Sequence, residues 1–291
     1  MTPVVSLSIA DWNEQCAGAV QERALCALEA GSVLLLPRLA FSILAAEQPL
    51  LSPAIEGASK NISFDGSVGK LRGASVAGPE HRLLQSMMER FATSCKALLI
   101  NLFPHYGASL VQSRTSFRPV EIAGRQTSWR KDDKRLHVDS FPSNPVRDRR
   151  ILRVFSNVNP SGQSRSWKLG ESFESVASRY LPTLTRPVWG VSELLRLSGV
   201  TKSRRSAYDH FMLQIHDRMK SNLEYQATVD QAAYEFLPGS TWIVFTDQVS
   251  HAAVAGQYCL EQTFFLPVAA MRDPSRAPLK VLERLTGRTL T

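Results

Sequence analysis

The sequence predicts an α+β, mainly β protein whose double-stranded β-helix (jelly-roll) core is buttressed by N-terminal and inserted helices. Of the 291 residues, 44% are hydrophobic and 21% are charged, which supplies a core and excludes a disordered chain. Helical periodicity dominates before residue 104, and short β-like runs separated by Pro, Gly, Asn and Asp dominate from residue 109 onwards. This order is typical of an antiparallel β core packed against helices.

The N-terminal part, residues 1–104, is expected to be largely helical. Apolar side chains recur near a 3.6-residue period in 8–30 and again in 80–102. The second of these helices follows a Gly-Pro pair and ends before Pro104, as helix boundaries often do. Between the two helices, the run VLLLP at 33–37 predicts a short buried strand.

The remainder of a single domain, 1–291, is predicted to hold the jelly-roll core at 105–270 and a C-terminal tail at 271–291. A helical insert is expected at about 170–225, because 173–181 and 207–222 carry helical patterns. The predicted strands of the core are 109–120, 128–139, 151–157, 242–245 and 261–268.

Three features predict a cytoplasmic protein. The N-terminus has no basic stretch of the kind that begins a secretory signal, and the most apolar window, 32–46, is too short to span a bilayer. The 4 cysteines show neither CxxC spacing nor paired zinc-ligand spacing, which favours reduced thiols over a disulfide framework.

The net charge of +8 is concentrated in one segment. Residues 101–165 hold 12 basic and 5 acidic side chains, so this segment accounts for nearly all of the excess. A basic segment of this kind suits nucleic acid, an anionic membrane face or a small acidic substrate. Aromatic side chains that could stack on bases are few here, so nucleic acid is the least favoured of the three.

A candidate metal site lies within the basic segment. His137 and Asp139 are two residues apart in a strand-like run, which places both side chains on one face. His251, flanked by further strand-like runs, is the best third ligand. Together they match the 2-His-1-carboxylate triad of non-heme Fe(II) oxygenases, which leaves three metal positions open. The alternative for His137 is a surface histidine beside a neighbouring aspartate.

A rival cluster consists of Asp209 and His210 with His216 and Asp217. The two pairs do not share one helix face within a single turn, because neighbours on a helix lie three or four residues apart. A solvated amphipathic helix is therefore the favoured interpretation of this cluster.

Oxygenases that use 2-oxoglutarate need a cation for its distal carboxylate. The segment 256–263, where many of them carry an arginine, contains neither Arg nor Lys. Arg153 is the predicted substitute, on a strand face shared with Asn157, and Gln262 is a possible hydrogen-bonding helper. Arg114 and Arg118 share a strand face as well, and a guanidinium there can bind a carboxylate or a phosphate. Solvated charges on strand edges are the alternative.

The sequence resembles the Fe(II)/2-oxoglutarate-dependent 3-deoxy-D-manno-oct-2-ulosonic acid (Kdo) 3-hydroxylases of Gram-negative bacteria. The resemblance extends from about residue 28 to residue 267. It is carried by KNISFD at 60–65, TSFRP at 115–119, RLHVD at 135–139, FPS at 141–143, RILRVFSNVNP at 150–160, VSHA at 249–252 and GQY at 256–258.

The resemblance implies hydroxylation of C3 of Kdo attached to lipid A, with 2-oxoglutarate and O₂ as co-substrates. It implies a peripheral protein at the cytoplasmic face of the inner membrane, in contact with an anionic lipid surface and not with nucleic acid. The expected site residues are His137, Asp139 and His251 for Fe(II); Arg153, Gln262, Asn157 and Arg118 for 2-oxoglutarate; and Arg118, Arg125 and Arg114 for substrate. An oxygenase that acts on a protein or nucleobase, and a metal-free barrel that binds an anionic sugar or nucleic acid, are the alternatives.

Overall fold

The computed structural model describes residues 2–57, 61–188 and 190–291, so Lys60 of the first motif lies outside the described residues. The α-helices are α1 Gly18–Glu29, α2 Gly78–Leu102, α3 Phe173–Tyr180, α4 Val191–Leu197, α5 Ala207–Ser221, α6 Leu223–Thr228 and α7 Pro278–Thr286. The strands are β1 Val4–Ser6, β2 Val33–Leu36, β3 Ile62–Asp65, β4 Lys70–Arg72, β5 Val111–Arg118, β6 Arg149–Asn157, β7 Arg165–Leu169, β8 Ala232–Phe236, β9 Thr241–Phe245, β10 His251–Ala255 and β11 Cys259–Pro267.

Two sheets form the β core. The larger has the strand order β1-β2-β9-β6-β11-β5-β3-β4, and the smaller has the order β10-β7-β8. All pairs are antiparallel except β1 with β2. The chain at His137 pairs with His251 through an isolated antiparallel bridge, so it takes the place of a fourth strand beside β10. The smaller sheet thus matches the four central strands β9-β6-β11-β5, which gives the two four-stranded layers of a jelly roll.

Aromatic side chains from both sheets fill the space between them. Phe155 and Trp242 of the larger sheet pack with Trp167 and Phe236 of the smaller one in a single buried cluster. The rings of Phe236 and Trp242 are stacked with centroids 4.1 Å apart. Aromatic rings of this size bury large areas, so this cluster holds the two sheets together.

Helix α2 packs on the outer face of the larger sheet. Its buried residues, among them Leu84, Phe91 and Leu98, join one core cluster with Phe117 of β5 and Phe264 of β11. The predicted helix at 80–102 is therefore confirmed. Pro79 lies in its first turn, where a backbone N–H would have no partner within the helix, so proline is well tolerated there. Within the described parts of the chain, no helix is both long and apolar enough to cross a membrane.

Several element predictions were wrong in extent. Helix α1 begins at Gly18 instead of residue 8, and the strand predicted at 128–139 is a 3₁₀ turn, Trp129–Lys131, followed by irregular chain. Strand β2 confirms the strand predicted at 33–37, whereas β1, β3 and β4 were not predicted in this part of the chain; all four extend the larger sheet. The expected C-terminal tail contains α7, whose apolar residues Leu279, Val281 and Leu282 are buried.

Candidate metal centre

The structure brings His137, Asp139 and His251 together. The two histidines face each other across the antiparallel bridge, where each backbone N–H donates to the other's carbonyl oxygen at 3.0 and 2.9 Å. The backbone N–H of Asp139 donates to the carbonyl oxygen of Thr246 at 2.8 Å, which ties this residue to the chain just before His251. One ligand atom from each of the three side chains lies within 4.8 Å of the others.

Both imidazoles are oriented by the backbone. Nδ1 of His137 lies 2.8 Å from the carbonyl oxygen of Arg135, and Nδ1 of His251 lies 2.8 Å from that of Val249. A carbonyl oxygen can only accept, so each Nδ1 carries the proton and each Nε2 keeps a lone pair. Nε2 of His137 lies 3.6 Å from Oδ1 of Asp139. The two rings therefore present their metal-binding nitrogens beside the carboxylate.

The protonation states of the cluster suit a divalent cation. Burial lowers the pKa of both His137 and His251 below the ordinary value of 6.5, so both rings are neutral at pH 7. Burial alone would raise the pKa of Asp139, but Arg153 beside it holds that pKa well below its usual range. Two neutral imidazole nitrogens and one ionised carboxylate are the donor set of a facial triad, and these residues fit the metal that such a site binds.

Two aromatic rings support the histidines. Trp167 of β7 is stacked on His251, with centroids 5.1 Å apart and planes 24° apart. His216 of α5 meets His137 edge to face, with centroids 5.4 Å apart. His216 thus comes from the rival cluster, whereas Asp209 of the same cluster forms the capping box of α5 with Ser206. The packing of His216 and Trp167 restricts the orientation of both ligand rings.

A buried ion-pair network continues from the metal cluster into the barrel. Arg153 places Nη2 3.0 Å from Oδ2 of Asp139 and Nη1 2.9 Å from Oε1 of Glu261. Arg118 places Nη2 2.6 Å from Oε2 of Glu261 and Nη1 3.4 Å from Oδ2 of Asp133. Burial raises the pKa of Glu261, but the two guanidiniums outweigh it and hold that pKa below the ordinary value. Glu261 is thus ionised within this network.

A cavity of about 440 Å³ opens beside this network. Its lining combines cations with hydroxyl and amide groups, and Phe141 and Phe265 supply an apolar part. Arg114, Arg118 and Arg153, three of the arginines singled out in the sequence, all line it. The remaining lining residues are Asn61, Ser63, Ser113, Ser116, Pro142, Ser143, Asn144, Lys202, Glu261 and Thr263.

The structure does not bring three other predicted residues to this cavity. Gln262 lies on the opposite face of β11, where its Oε1 accepts from the hydroxyl of Thr115 and its Nε2 donates to the carbonyl oxygen of Ser113. The side chain of Asn157 donates to the carbonyl oxygens of Gln163 and Phe236 and accepts from a backbone N–H. Arg125 forms an ion pair with Glu56 at 3.1 Å. These side chains have structural partners instead of an open site.

Sequence reasoning missed Glu261, Asp133 and Lys202. Glu261 had a recognisable signal, because it is the one acidic residue in the apolar run 259–267. Lys202 had none, since it comes from the helical insert and reaches the cavity through the tertiary fold. Its backbone N–H donates to the carbonyl oxygen of Ser143, which lines the same cavity.

A second buried ion pair supports the turn that precedes His251. Arg150 has no exposed surface; its Nε and Nη2 lie 2.7 and 3.1 Å from the carboxylate oxygens of Asp247. Its Nη2 also donates to Oε1 of Gln248 at 2.7 Å, and its guanidinium lies over the ring of Phe245. This arrangement holds the turn between β9 and β10 in place.

A jelly roll that carries two histidines and an aspartate in this geometry defines a protein of the non-heme iron oxygenase class. A family model of the 3-deoxy-D-manno-oct-2-ulosonic acid (Kdo) hydroxylases matches residues 11–289. The chain belongs to this family, and the resemblance noted in the sequence is confirmed.

Solved structures of the Kdo hydroxylase KdoO, described as a non-heme Fe(II) α-ketoglutarate-dependent dioxygenase, are similar to this chain over its full length. The complex with α-ketoglutarate and Fe(III) is 48% identical, with a TM-score of 0.96, covering 100% of this chain and 98% of that chain. The apo structure is 48% identical, with a TM-score of 0.97, and the succinate and Fe(III) complex is 48% identical, with a TM-score of 0.96. For each of these two, 99% of this chain and 97% of that chain are covered. No curated protein sequence matches the chain. The predicted jelly-roll fold is confirmed by this likeness.

Proposed function

We propose that this protein is an Fe(II)/2-oxoglutarate-dependent dioxygenase that hydroxylates C3 of Kdo attached to lipid A. The observation that carries the proposal is the convergence of two available Nε2 atoms and one ionised carboxylate next to a cation-lined cavity, in a chain of the Kdo hydroxylase family. The KdoO structures with α-ketoglutarate and with succinate support the same co-substrate and co-product here.

In this proposal His137, Asp139 and His251 hold Fe(II). The bound iron and 2-oxoglutarate would supply O₂ activation and oxidation of a C–H bond, with release of succinate and CO₂. The protein contributes the fixed orientation of both imidazoles through the carbonyl oxygens of residues 135 and 249. It also keeps both rings neutral by burial, so that no proton competes with the metal for the Nε2 atoms.

The charge balance of the network favours an anionic co-substrate. Asp139, Glu261 and Asp133 provide three carboxylates against the guanidiniums of Arg153 and Arg118. The formal charge of this group is −1, and it becomes +1 once a divalent cation is bound. A dicarboxylate then enters a site that attracts it. Arg153, assisted by Arg118, is the proposed partner of the distal carboxylate of 2-oxoglutarate.

The outer part of the cavity suits an acidic sugar. Arg114 and Lys202 supply positive charge, and serine and asparagine side chains supply hydrogen-bond donors and acceptors for hydroxyl groups. Kdo carries a carboxylate and several hydroxyls, so both kinds of group are needed. A lipid A substrate implies work at the cytoplasmic face of the inner membrane, which is the proposed location. We do not propose a nucleic-acid substrate.

The decisive experiment measures succinate release together with one added oxygen on Kdo-lipid A by mass spectrometry. His137→Ala is expected to fold normally and to lose both signals, because an alanine cannot replace the nitrogen ligand. His105→Ala, which changes an exposed histidine, is the matched control and should keep both. A folded His137→Ala variant with wild-type turnover would contradict the proposal, and turnover only with a peptide or nucleobase substrate would replace it.

The co-substrate assignment has its own test. Arg153→Gln should raise the KM for 2-oxoglutarate by at least about tenfold, because a buried charged hydrogen bond to a carboxylate is worth roughly 2 kcal/mol or more. Metal binding measured by calorimetry should persist in this variant. Arg276→Gln, which changes an exposed arginine paired with Asp273, is the control. An unchanged KM in Arg153→Gln would show that another residue binds the distal carboxylate of 2-oxoglutarate.

A further inference from the structure

The segment around α4 exposes an unusual amount of apolar surface. Five large aliphatic side chains between residues 188 and 200 are 44–70% exposed: Val188, Val191, Leu194, Leu197 and Val200. Three of them lie on α4 at a spacing of three residues, so they form one stripe along the helix. Contiguous exposed apolar surface of this kind marks an interaction site more often than chance scatter does.

Basic side chains surround this stripe. Residues 186–205 contain 5 basic residues and one acidic residue, Glu193, which forms an ion pair with Arg196. Arg186, Lys202 and Arg204 are exposed. An apolar stripe flanked by cations is the pattern of a helix that lies in the interface of an anionic bilayer.

The chain that follows the stripe reaches the active-site cavity. Lys202, which follows it in the chain, lines the cavity beside Arg114 and Arg153. Arg205 is anchored to the same region, since it donates to the carbonyl oxygen of Pro142, another lining residue, at 2.8 Å. A surface that bound to a bilayer through α4 would therefore place the cavity opening close to the lipid headgroups.

We propose that α4 and its flanking residues, 186–188 and 190–205, form the surface by which this protein docks on an anionic lipid bilayer. This inference rests on the proposed lipid-linked substrate, and it assigns that contact to particular side chains. The leucines and valines enter the headgroup region, while the arginines contact lipid phosphates. The docked protein then meets a sugar that projects from the membrane, without extracting the lipid.

Charge favours a bilayer over a second copy of this chain. In a symmetric dimer the same surface would face itself, so the 5 cations of one copy would meet the 5 of the other. Like charges in such an interface cost free energy. An anionic membrane instead gains about 1 kcal/mol for each basic side chain near its surface.

The test compares sedimentation with vesicles of phosphatidylcholine alone and of phosphatidylcholine mixed with phosphatidylglycerol. The full chain is expected to bind only the mixed vesicles. Leu194→Glu with Leu197→Glu should weaken that binding at least about tenfold, because two apolar contacts are lost and two repelling charges are added. Leu237→Glu, at an exposed leucine outside the segment, is the matched control and should bind like the unchanged protein.

Activity separates this inference from the proposed function. The double variant should retain succinate release with water-soluble Kdo-containing sugar and lose it with Kdo-lipid A in mixed vesicles. Equal vesicle binding by the double variant and the unchanged protein would overturn the docking surface while leaving the proposed function intact. If light scattering showed that the unchanged protein is a dimer and that the double variant is a monomer, the stripe would be assigned to self-association instead. Absence of turnover with Kdo in any form would refute the proposed function, whatever the vesicle result.

Discussion

Replacing Arg150 by methionine tests how the turn before His251 is stabilised. The guanidinium is fully buried, and its loss leaves the carboxylate of Asp247 without its two charged hydrogen bonds at 2.7 and 3.1 Å. Removal of one member of a buried pair costs about 3–5 kcal/mol, mostly because the remaining charge stays desolvated. For a chain of this size we expect the Tm to fall by on the order of 10 °C.

The assay is denaturant and thermal unfolding of Arg150→Met, Asp247→Leu and the double variant. The double variant should be more stable than the sum of the two single effects predicts, because no buried charge is left unpaired. Burial raises the pKa of Asp247 even with Arg150 present. In Arg150→Met this carboxyl should therefore take up a proton more readily, and the deficit in stability should shrink as the pH falls. Additive effects, or a single variant as stable as the unchanged protein, would refute the reasoning.

Three further results are expected. Metal affinity measured by calorimetry should stay constant as the pH falls to 6.5 and decrease only below it, because burial lowers the pKa of His137 and His251; a decrease centred at 6.5 would contradict this. Phe91→Ala should cost about 3–5 kcal/mol in unfolding free energy, since its ring is buried against two other aromatic rings, and a cost below ~1 kcal/mol would show that the core collapses around it. Gly256→Ala should cost about 2 kcal/mol or more, because φ is 111° and a Cβ would lie 2.9 Å from backbone atoms of Ser164 and Arg165; unchanged stability would mean that the turn can shift.

The elements that sequence reasoning located well are those with strong apolar patterns. Helix α2 buries one apolar face, and strands β6, β9 and β11 are buried over most of their length, so their apolar patterns report their structure directly. Strands β8 and β10 were missed because they are rich in alanine, which has little β-propensity. Their extended form comes from pairing with β7, a tertiary effect that the local sequence does not encode.

The candidate site shows the same division. His137 and Asp139 were grouped by the alternation of a strand, yet no strand forms there; a single bridged residue and the contact to Thr246 bring the two side chains together. Gln262 was grouped with Arg153 although they lie on opposite faces, because the pairing of β11 with β6 sets Arg153 against Thr263. Register between distant strands decides such cases, and the sequence alone does not reveal it.

The orientation of both histidine rings by main-chain carbonyls has a consequence for the history of the site. Metal-binding histidines are often held by acidic side chains, and those can be lost by a single substitution. Here the partners of both Nδ1 atoms are peptide oxygens, which every amino acid supplies. The ring orientation can therefore survive drift at positions 135 and 249, because any residue that replaces Arg135 or Val249 keeps the same carbonyl acceptor.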